Sequence, residues 1–337
     1  MLIAEIKKIG KAEDSIKIEN VDFSDLINDT QILIEIILFP INPADILLIE
    51  GHYANIPKLP SKLGAECIAS VIKVGSKISK FKVGDLVMPI SRNNWVQRKK
   101  VNEDELIKLS INTNILQSSM LKINPATAYL MLNNYTSLKQ GDYIIQNAAN
   151  SGVGYYVIQL CKYYKINTIN IVRRKELHNQ LLKIGADEVF TYDDLNILIE
   201  KLKSKNIKLF LDAVGGKGVE QIAFLLANNA SIINYGLLSN ESIKISSHEL
   251  IFRNLSIKGF WLSKWLEKMP VREKVNLYKH LEELINQKKL YTKIQKIYDI
   301  CDINDAIIAS KQNGRKGKIL VSPNLQKYKR IFTNYLN

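Results

Sequence analysis

The stretch that decides the fold is Asn147-Ala148-Ala149-Asn150-Ser151-Gly152-Val153-Gly154, a turn of small residues between apolar segments. A short apolar run at 142–146 precedes it, apolar residues at helical spacing fill 153–164, and a second apolar run occupies 168–172. Small residues in such a strand–turn–helix–strand unit let the backbone approach a pyrophosphate, whose charge lies at the helix N-terminus. The stretch therefore predicts a dinucleotide-binding domain, although an ordinary tight turn has the same local pattern.

Three basic residues follow the second strand of this unit. Arg173 is nineteen residues beyond Gly154, where an NAD site would carry an acidic residue for the ribose hydroxyls. Arg174 and Lys175 come directly after it. Because a guanidinium group suits a 2′-phosphate, these residues predict NADPH as the cofactor. Arg174 also fits a solvated surface charge, and Arg173 is the stronger phosphate ligand.

Length and composition indicate a globular protein of two domains. The chain has 337 residues, and no apolar run approaches the ~20 residues of a membrane helix. The N-terminus enters a predicted strand without a signal or transit peptide pattern, so we expect a cytoplasmic protein. The three cysteines and four histidines are scattered, which disfavours a metal site. The net charge of +14 fits a lysine-rich surface, with an anionic partner as the alternative.

The pattern of apolar segments changes near residue 118. The first ~115 residues read as β-rich, with short apolar runs broken by glycines. Strands and helices then alternate, which predicts a parallel, doubly wound sheet. We expect 1–117 and 265–337 to form one discontinuous domain, and 118–264 to form the cofactor domain. The predicted strands of the cofactor domain are 142–146, 168–172, 187–190, 208–213, 230–235 and 256–260.

The segment Gly-Ser-Lys-Ile-Ser-Lys-Phe-Lys-Val-Gly-Asp-Leu-Val at 75–87 is similar to the barrel motif of the medium-chain dehydrogenase/reductase superfamily. Within that superfamily the chain most resembles the 2-enoyl thioester reductases, the mitochondrial type and its bacterial relatives. The resemblance implies an α/β protein with a GroES-like β-rich barrel domain and a Rossmann domain. The segments that carry the resemblance occur in the family's order, at residues 41–46, 51–53, 124–129, 146–154 and 259–265.

Two motifs of the zinc-dependent relatives are replaced in this chain. Those relatives carry a catalytic cysteine early in the barrel domain and a Gly-His-Glu motif. Here the first region reads Asn42-Pro43-Ala44-Asp45 and the second reads Gly64-Ala65-Glu66. The four-cysteine structural lobe is also missing, so we expect no metal. Without a Lewis acid, alcohol oxidation is disfavoured, whereas reduction of a C=C bond conjugated to a carbonyl needs no metal.

The resemblance implies reduction of the C2=C3 bond of trans-2-enoyl thioesters, on CoA or acyl carrier protein, in fatty-acid synthesis. Hydride from NADPH would reach C3, and the enolate-like intermediate would take a proton at C2. The tyrosine of the family's Gly-x-Tyr segment, which orients or protonates the substrate, corresponds to Tyr53. From spacing alone, Tyr53 is better explained as one of fifteen tyrosines that pack a loop, and only the matched Gly-x-Tyr context favours the catalytic role. The resemblance also implies a homodimer.

The remaining site residues are assigned to the cofactor. Asn124 would bond the nicotinamide ribose or hold the substrate carbonyl, and a helix N-cap is its structural alternative. Phe260 and Trp261 end a late strand, where ligands gather in such sheets, but core packing explains them equally well. The full predicted cofactor set is Asn124, Asn150, Ser151, Gly152, Val153, Gly154, Arg173, Arg174, Lys175, Tyr235, Gly236, Leu237, Leu238, Phe260, Trp261, Leu262 and Ser263.

Two other functions remain open at the level of sequence. A zinc-free NADPH:quinone or alkenal reductase of the same superfamily would share the 147–154 turn. A nucleic-acid-binding protein or pseudoenzyme on this scaffold would explain the +14 charge. The chain lacks a clustered basic helix or an aromatic-interleaved basic motif, so nucleic acid is the less favoured partner.

Overall fold

The computed structural model describes residues 1–194, 199, 201–202 and 205–333. The chain divides into two compact units. Unit 1 comprises Met1–Ile123 and Pro270–Asn337, and unit 2 comprises Asn124–Met269. The boundaries expected from the sequence, after residues 117 and 264, lie six and five residues before these.

The regular elements of the described residues alternate in type along unit 2 and are mostly strands in unit 1. The strands are β1 (Leu2–Ile6), β2 (Ile16–Asn20), β3 (Gln31–Pro40), β4 (Ser61–Lys62), β5 (Ile68–Val74), β6 (Leu86–Pro89), β7 (Arg98–Asn102), β8 (Leu106–Lys108), β9 (Tyr143–Gln146), β10 (Asn167–Val172), β11 (Glu188–Thr191), β12 (Ile207–Asp212), β13 (Ser231–Asn234), β14 (Ser256–Gly259), β15 (Ile294–Asp299) and β16 (Lys318–Ser322). The α-helices are α1 (Ala12–Ser15), α2 (Pro43–Ile49), α3 (Ile115–Ser118), α4 (Asn124–Asn134), α5 (Gly152–Tyr164), α6 (His178–Ile184), α7 (Lys217–Ala223), α8 (Ser247–Ile251), α9 (Leu262–Lys268), α10 (Val271–Asn286), α11 (Ile303–Lys311) and α12 (Leu325–Phe332). Short 3₁₀ turns occupy Glu103–Glu105, Lys175–Leu177, Tyr192–Asp194 and Ile300–Asp302.

Unit 1 is built on the long strand β3. Its sequence QILIEIILFP is almost continuously buried, because β5 and β7 pair with it and the core covers its faces. Strands β5, β6 and β8 extend the sheet in antiparallel pairs, and β16 pairs with the end of β3. Since β15 and β16 come from the C-terminal segment, this unit is discontinuous in sequence. Within the described residues, β1 forms a separate small sheet with β2 and β4.

Unit 2 contains a parallel sheet with the strand order β11-β10-β9-β12-β13-β14 in its described part. In chain order this is third, second, first, fourth, fifth and sixth, the doubly wound arrangement in which ligands bind beyond the carboxyl ends of the strands. The order reverses between β9 and β12, so the 147–154 turn after β9 lies at that switch point. The predicted α/β fold class is therefore confirmed for this unit.

The end of β14 differs from the sequence-based expectation. The strand predicted at 256–260 ends at Gly259, and Leu262 and Ser263 lie in the first turn of α9. The Phe260 ring stacks on that of Trp265, with centroids 6.1 Å apart. The Phe260 N–H still donates to the Asn234 carbonyl oxygen of β13 at 2.8 Å, and the chain leaves the sheet after it, at the start of α9.

Candidate active site

The cofactor turn, residues 147–154, is held by local contacts that require small residues. Ser151 caps α5, since its Oγ accepts a hydrogen bond from the Gly154 N–H at 3.1 Å. A Cβ on Gly154 would lie 2.5 Å from the Ala149 carbonyl oxygen, so the helix begins against the turn's own backbone. Such a close approach leaves the first N–H groups of the helix open to an anion.

Asn124 lies against the same turn. It is the first residue of α4 rather than the residue that caps it, and it is buried. A Cβ on Gly152 would lie 2.8 Å from the Asn124 side-chain nitrogen. Glycine at 152 therefore leaves room for the Asn124 amide at the start of α5, whereas Asn150 is exposed at the tip of the turn.

A buried carboxylate that the sequence reading missed anchors the turn. Asp212, at the end of β12, accepts hydrogen bonds from the side-chain amides of Asn147 at 2.6 Å and Asn234 at 2.7 Å. The backbone N–H groups of Val214 and Gly215 donate to it as well. These bonds tie together the carboxyl ends of β9, β12 and β13. The sequence signal was available, since Asn147 follows the strand predicted at 142–146, and Asp212 and Asn234 are the last residues but one of those predicted at 208–213 and 230–235.

The basic residues lie at the neighbouring strand end. Arg173 and Arg174 follow β10, which pairs with β9, and both are exposed. Lys175 forms a surface ion pair with Asp194 at 3.4 Å. Because β9 and β10 are parallel, the cofactor turn and the two arginines share the carboxyl edge of the sheet. A nucleotide with its pyrophosphate at the start of α5 has cationic groups available one strand away.

The segment 235–238 follows β13 at the same edge. The Tyr235 N–H donates to the Asp212 carbonyl oxygen at 2.9 Å, and burial raises the pKa of the Tyr235 phenol above its usual range. A Cβ on Gly236 would lie 2.5 Å from the Ala213 carbonyl oxygen, so only glycine fits this approach. The side chains of Leu237 and Leu238 are 60% and 62% exposed and offer an apolar surface to a ligand.

Phe260 has a structural role that its position did not reveal. It is buried in an aromatic cluster with Tyr135 and Trp265, whose indole N–H donates to the Tyr135 hydroxyl at 3.3 Å. This packing supports the core interpretation for Phe260. The Lys264 ammonium lies 5.7 Å from the centroid of the Trp261 ring.

Tyr53 belongs to unit 1 and is placed by the end of α2. The N–H groups of His52 and Tyr53 both donate to the Leu47 carbonyl oxygen, at 2.8 and 3.1 Å. Gly51 has φ +78°, a conformation that favours glycine, and a Cβ there would lie 2.6 Å from the Ile9 side chain. The Gly51-His52-Tyr53 turn is thus fixed to α2, with the Tyr53 ring half-buried against the core.

The start of α2 is fixed in turn by a buried cluster, which we define as Asn42, Asp45, Glu66, Lys122 and Lys318. Asn42 begins α2 in a capping box with Asp45, and its amide nitrogen donates to Glu66 Oε1 at 2.8 Å. Lys318 donates to Asn42 Oδ1 at 2.7 Å. Burial raises the pKa of Glu66 to about 7 and lowers those of Lys122 and Lys318 to about 8.

These residues do not fit a zinc ion. Asn42 and Ala65 stand where the zinc-dependent relatives carry cysteine and histidine, and Glu66 already bonds to Asn42 and to the Ile123 N–H. The ammonium of Lys318 supplies a positive charge beside Asn42. Among the described residues, no group of three or more His, Cys, Asp or Glu side chains could hold a metal ion.

Comparisons with known proteins agree with this architecture. The alcohol dehydrogenase GroES-like domain matches residues 28–108, and the zinc-binding dehydrogenase domain matches residues 152–279. The mitochondrial enoyl-[acyl-carrier-protein] reductase of Dictyostelium discoideum is 36% identical over 329 residues, 94% of this chain and 93% of that protein.

Two solved structures are similar over most of their length. The Etr1p/NADP/crotonyl-CoA complex has a TM-score of 0.86 at 28% identity, covering 95% of this chain and 99% of that chain. The mitochondrial 2-enoyl thioester reductase Etr1p/Etr2p heterodimer from Candida tropicalis has a TM-score of 0.85 at 28% identity, with the same coverage.

The fold of both units defines a medium-chain dehydrogenase/reductase, and the predicted GroES-like and Rossmann domains are confirmed. Within this superfamily, the chain belongs to the enoyl-[acyl-carrier-protein] reductase family. The described residues contain no helix that is long and apolar enough to cross a membrane.

Proposed function

We propose that this protein uses NADPH to reduce the C2=C3 bond of trans-2-enoyl thioesters carried on CoA or acyl carrier protein, as a step of fatty-acid synthesis. The observation that carries the proposal is the similarity of nearly the whole chain to a protein named as an enoyl-[acyl-carrier-protein] reductase. The similar Etr1p structure holds NADP and crotonyl-CoA together. The replaced zinc ligands support the same chemistry, since a conjugated carbonyl accepts negative charge without a metal.

The residues at the carboxyl edge of the unit 2 sheet fit NADPH. Residues 151–154 would bind the pyrophosphate through the N-terminus of α5, and Arg173, Arg174 and Lys175 would bind the 2′-phosphate. Asn124 and Asn150 would contact the ribose side of the cofactor. Segments 235–238 and 260–263 would contribute the surface against the nicotinamide, Phe260 by packing behind it.

The chemistry divides between the cofactor and Tyr53. When bound, NADPH supplies a hydride to C3 of the substrate. The electron pair of the C2=C3 bond then moves towards the carbonyl, leaving negative charge on the thioester oxygen. The Tyr53 hydroxyl donates a hydrogen bond to that oxygen and provides the proton that C2 takes up, directly or through water.

Parallel assays test this proposal. The oxidation of NADPH is followed by the nicotinamide absorbance at about 340 nm. The substrates are crotonyl-CoA, a crotonyl-acyl-carrier-protein and a quinone, each in a separate assay. We expect turnover with both thioesters and little with the quinone. Turnover with the quinone alone would instead assign the protein to the zinc-free quinone reductases of the superfamily.

Assembly and location complete the proposal. We propose a homodimer that pairs through β14, one of the two edge strands of the described unit 2 sheet, whose Lys258 and Gly259 are exposed. A heterodimer of related subunits is named for the Candida tropicalis protein. Light scattering of the purified chain measures its mass.

The cytoplasmic location stays a prediction. Because relatives are named as mitochondrial proteins, cell fractionation is the measurement that decides between the two locations.

A further inference from the structure

One guanidinium group in unit 1 lies over the ring of Tyr53 and has a terminal nitrogen without a hydrogen-bond partner among the described residues. The Cζ atom of Arg92 is 5.6 Å from the centroid of the Tyr53 ring. Its Nη2 is buried, and no hydrogen-bond acceptor for it exists among the residues that the structure describes. A buried, unsatisfied donor on a charged group is costly, so a position of this kind calls for an explanation.

The loop that carries Arg92 is held firmly in place. The Lys99 ammonium donates to the Arg92 carbonyl oxygen at 2.6 Å and to Ser91 Oγ at 2.7 Å. The buried Lys122 ammonium donates to the carbonyl oxygens of Ala65 at 2.5 Å and Ser91 at 3.3 Å. Two lysines with lowered pKa values, each caused by burial, therefore fix the backbone from which Arg92 reaches Tyr53.

The Asp45 carboxylate is close enough to Arg92 for the two charges to interact, but it does not accept a hydrogen bond from Arg92 Nη2. The charge of Arg92 opposes the burial that raises the pKa of Asp45. Asp45 Oδ2 accepts the Asn42 N–H at 3.0 Å, whereas Oδ1 is buried without a partner in the described part of the chain. Because Oδ1 and Arg92 Nη2 both lack a partner, they do not bond to each other.

The charges around this position sum to an excess of positive charge. Arg92 lies in the field of the buried Asp45 carboxylate and of the Lys122 ammonium, and the buried Glu66 carboxylate lies in the field of Lys122 and Lys318. Cations thus outnumber carboxylates in this region before any ligand binds. A site with that balance favours a ligand atom that carries or acquires negative charge.

We infer that Arg92 is a second catalytic residue of the proposed reaction: its guanidinium donates a hydrogen bond to the thioester oxygen beside Tyr53 and stabilises the negative charge that forms there. The inference rests on the proposed function. Arg92 neither gives nor takes a proton in this step. Hydride addition at C3 leaves the enolate charge on oxygen; when C2 takes the proton from Tyr53, the carbonyl reforms and the phenol is reprotonated from water.

The alternative ligand for Arg92 is a phosphate of CoA, and the two differ in kinetics. Loss of an interaction made mainly in the transition state lowers kcat, whereas loss of an interaction made equally with the bound substrate raises KM alone. The thioester of N-acetylcysteamine contains no phosphate. Comparing crotonyl-CoA with crotonyl-N-acetylcysteamine therefore separates the thioester oxygen from the phosphates.

The experiment measures kcat and KM of Arg92→Gln on both substrates with saturating NADPH. We expect kcat to fall by ~10²-fold on each, the usual effect of removing one donor to a developing oxyanion. Arg92→Lys should recover part of the loss because it keeps the charge. A rise in KM for crotonyl-CoA alone, with kcat unchanged, would overturn the inference. A kcat of Arg92→Gln within about threefold of the wild-type value on both substrates would overturn it as well.

A matched control exists in the same unit. Arg98 also places its guanidinium over an aromatic ring, with Cζ 5.8 Å from the Phe23 centroid, but it is ion-paired with Asp25. Arg98→Gln should leave kcat on both substrates unchanged. If Arg92→Gln fails to fold, as judged by thermal melting, Arg92→Met provides a neutral side chain of similar length for the same comparison.

The outcome distinguishes this inference from the proposed function. If the wild-type protein reduces neither crotonyl thioester, the proposed function fails and the role of Arg92 fails with it. If the wild type is active and the folded Arg92 variants match it on both substrates, only the inference is overturned.

Discussion

The cofactor turn of unit 2 and the buried cluster of unit 1 are built in opposite ways. The turn depends on backbone contacts between residues a few positions apart, such as Gly154 against Ala149. The cluster joins side chains that are far apart in sequence: Lys318 bonds to Asn42 across 276 positions. The turn offers uncharged N–H groups to an anionic cofactor, whereas the cluster concentrates charge behind the proposed proton donor. Binding and chemistry are thus assigned to different kinds of structure.

The largest expected effect is on kcat and comes from Tyr53, the proposed proton donor. Tyr53→Phe removes the hydroxyl and keeps the ring that packs against the core. We expect kcat on crotonyl-CoA to fall by ~10²–10⁴-fold, the usual contribution of a general acid, with the Kd for NADPH unchanged. Steady-state kinetics and NADPH fluorescence titration measure the two quantities. An unchanged kcat would remove Tyr53 from the mechanism and leave the cluster without a catalytic partner.

A variant of the cofactor turn should instead weaken the binding of NADPH. Gly154→Ala places a methyl group 2.5 Å from the Ala149 carbonyl oxygen, so the turn must shift. Overpacking of this kind costs about 1–3 kcal/mol, which predicts a Kd for NADPH raised about 10- to 100-fold.

Gly259→Ala is the control for that variant. A Cβ at Gly259 has no described atom within 4 Å, and its substitution should leave the Kd unchanged. Equal affinities of the Gly154 and Gly259 variants for NADPH would show that the close approach at the turn is not needed for binding.

Cofactor choice should depend on the arginine pair. The double variant Arg173→Ala/Arg174→Ala should raise KM for NADPH about tenfold, since charge-assisted hydrogen bonds to a phosphate are lost, and leave KM for NADH unchanged. Lys183→Ala, an exposed residue of the same unit, serves as the control. An equal change in KM for both cofactors would contradict the assignment of the 2′-phosphate.

The last expected effect is on the pH dependence of stability and comes from the buried cluster. The pKa of Glu66, about 7 in the folded protein against 4.5 ordinarily, means that the folded state holds the proton more tightly. Its stabilisation is therefore complete below pH ~4.5 and is lost as the pH rises to about 7, a change of up to about 3 kcal/mol. Glu66→Gln lacks this titration.

Thermal melting of wild type and Glu66→Gln between about pH 5 and 7 measures that difference. The Tm of the variant should rise relative to the wild type as the pH increases. A constant difference in Tm over this range would mean that Glu66 titrates normally. Titrating groups away from Glu66 are common to both proteins and cancel in the comparison, whereas Lys122 and Lys318, whose pKa values the Glu66 charge raises, do not.

The same contrast explains what the sequence could reveal. The cofactor turn, the strand order that follows from alternating elements and the Arg173–Arg174 pair are encoded in short segments, and they could be predicted. Asp212 carried a local signal, because it is a polar residue near the end of the strand predicted at 208–213. Lys318, Lys122 and Arg92 carried none, since their meaning depends on tertiary contacts with residues 42, 66 and 53. The sequence alone could not show whether Phe260 packs in the core or contacts the cofactor, because that depends on its ring partners, Tyr135 and Trp265.

In the proposed reaction, hydride enters at C3, and a proton from solvent, delivered through Tyr53, enters at C2. Mass and NMR analysis of butyryl-CoA, formed from crotonyl-CoA with [4-²H]NADPH in water and with NADPH in deuterium oxide, tests it directly. We predict deuterium at C3 in the first product and at C2 in the second. Cofactor deuterium that appears at C2, or a product that keeps its double bond while NADPH is consumed, would contradict the account.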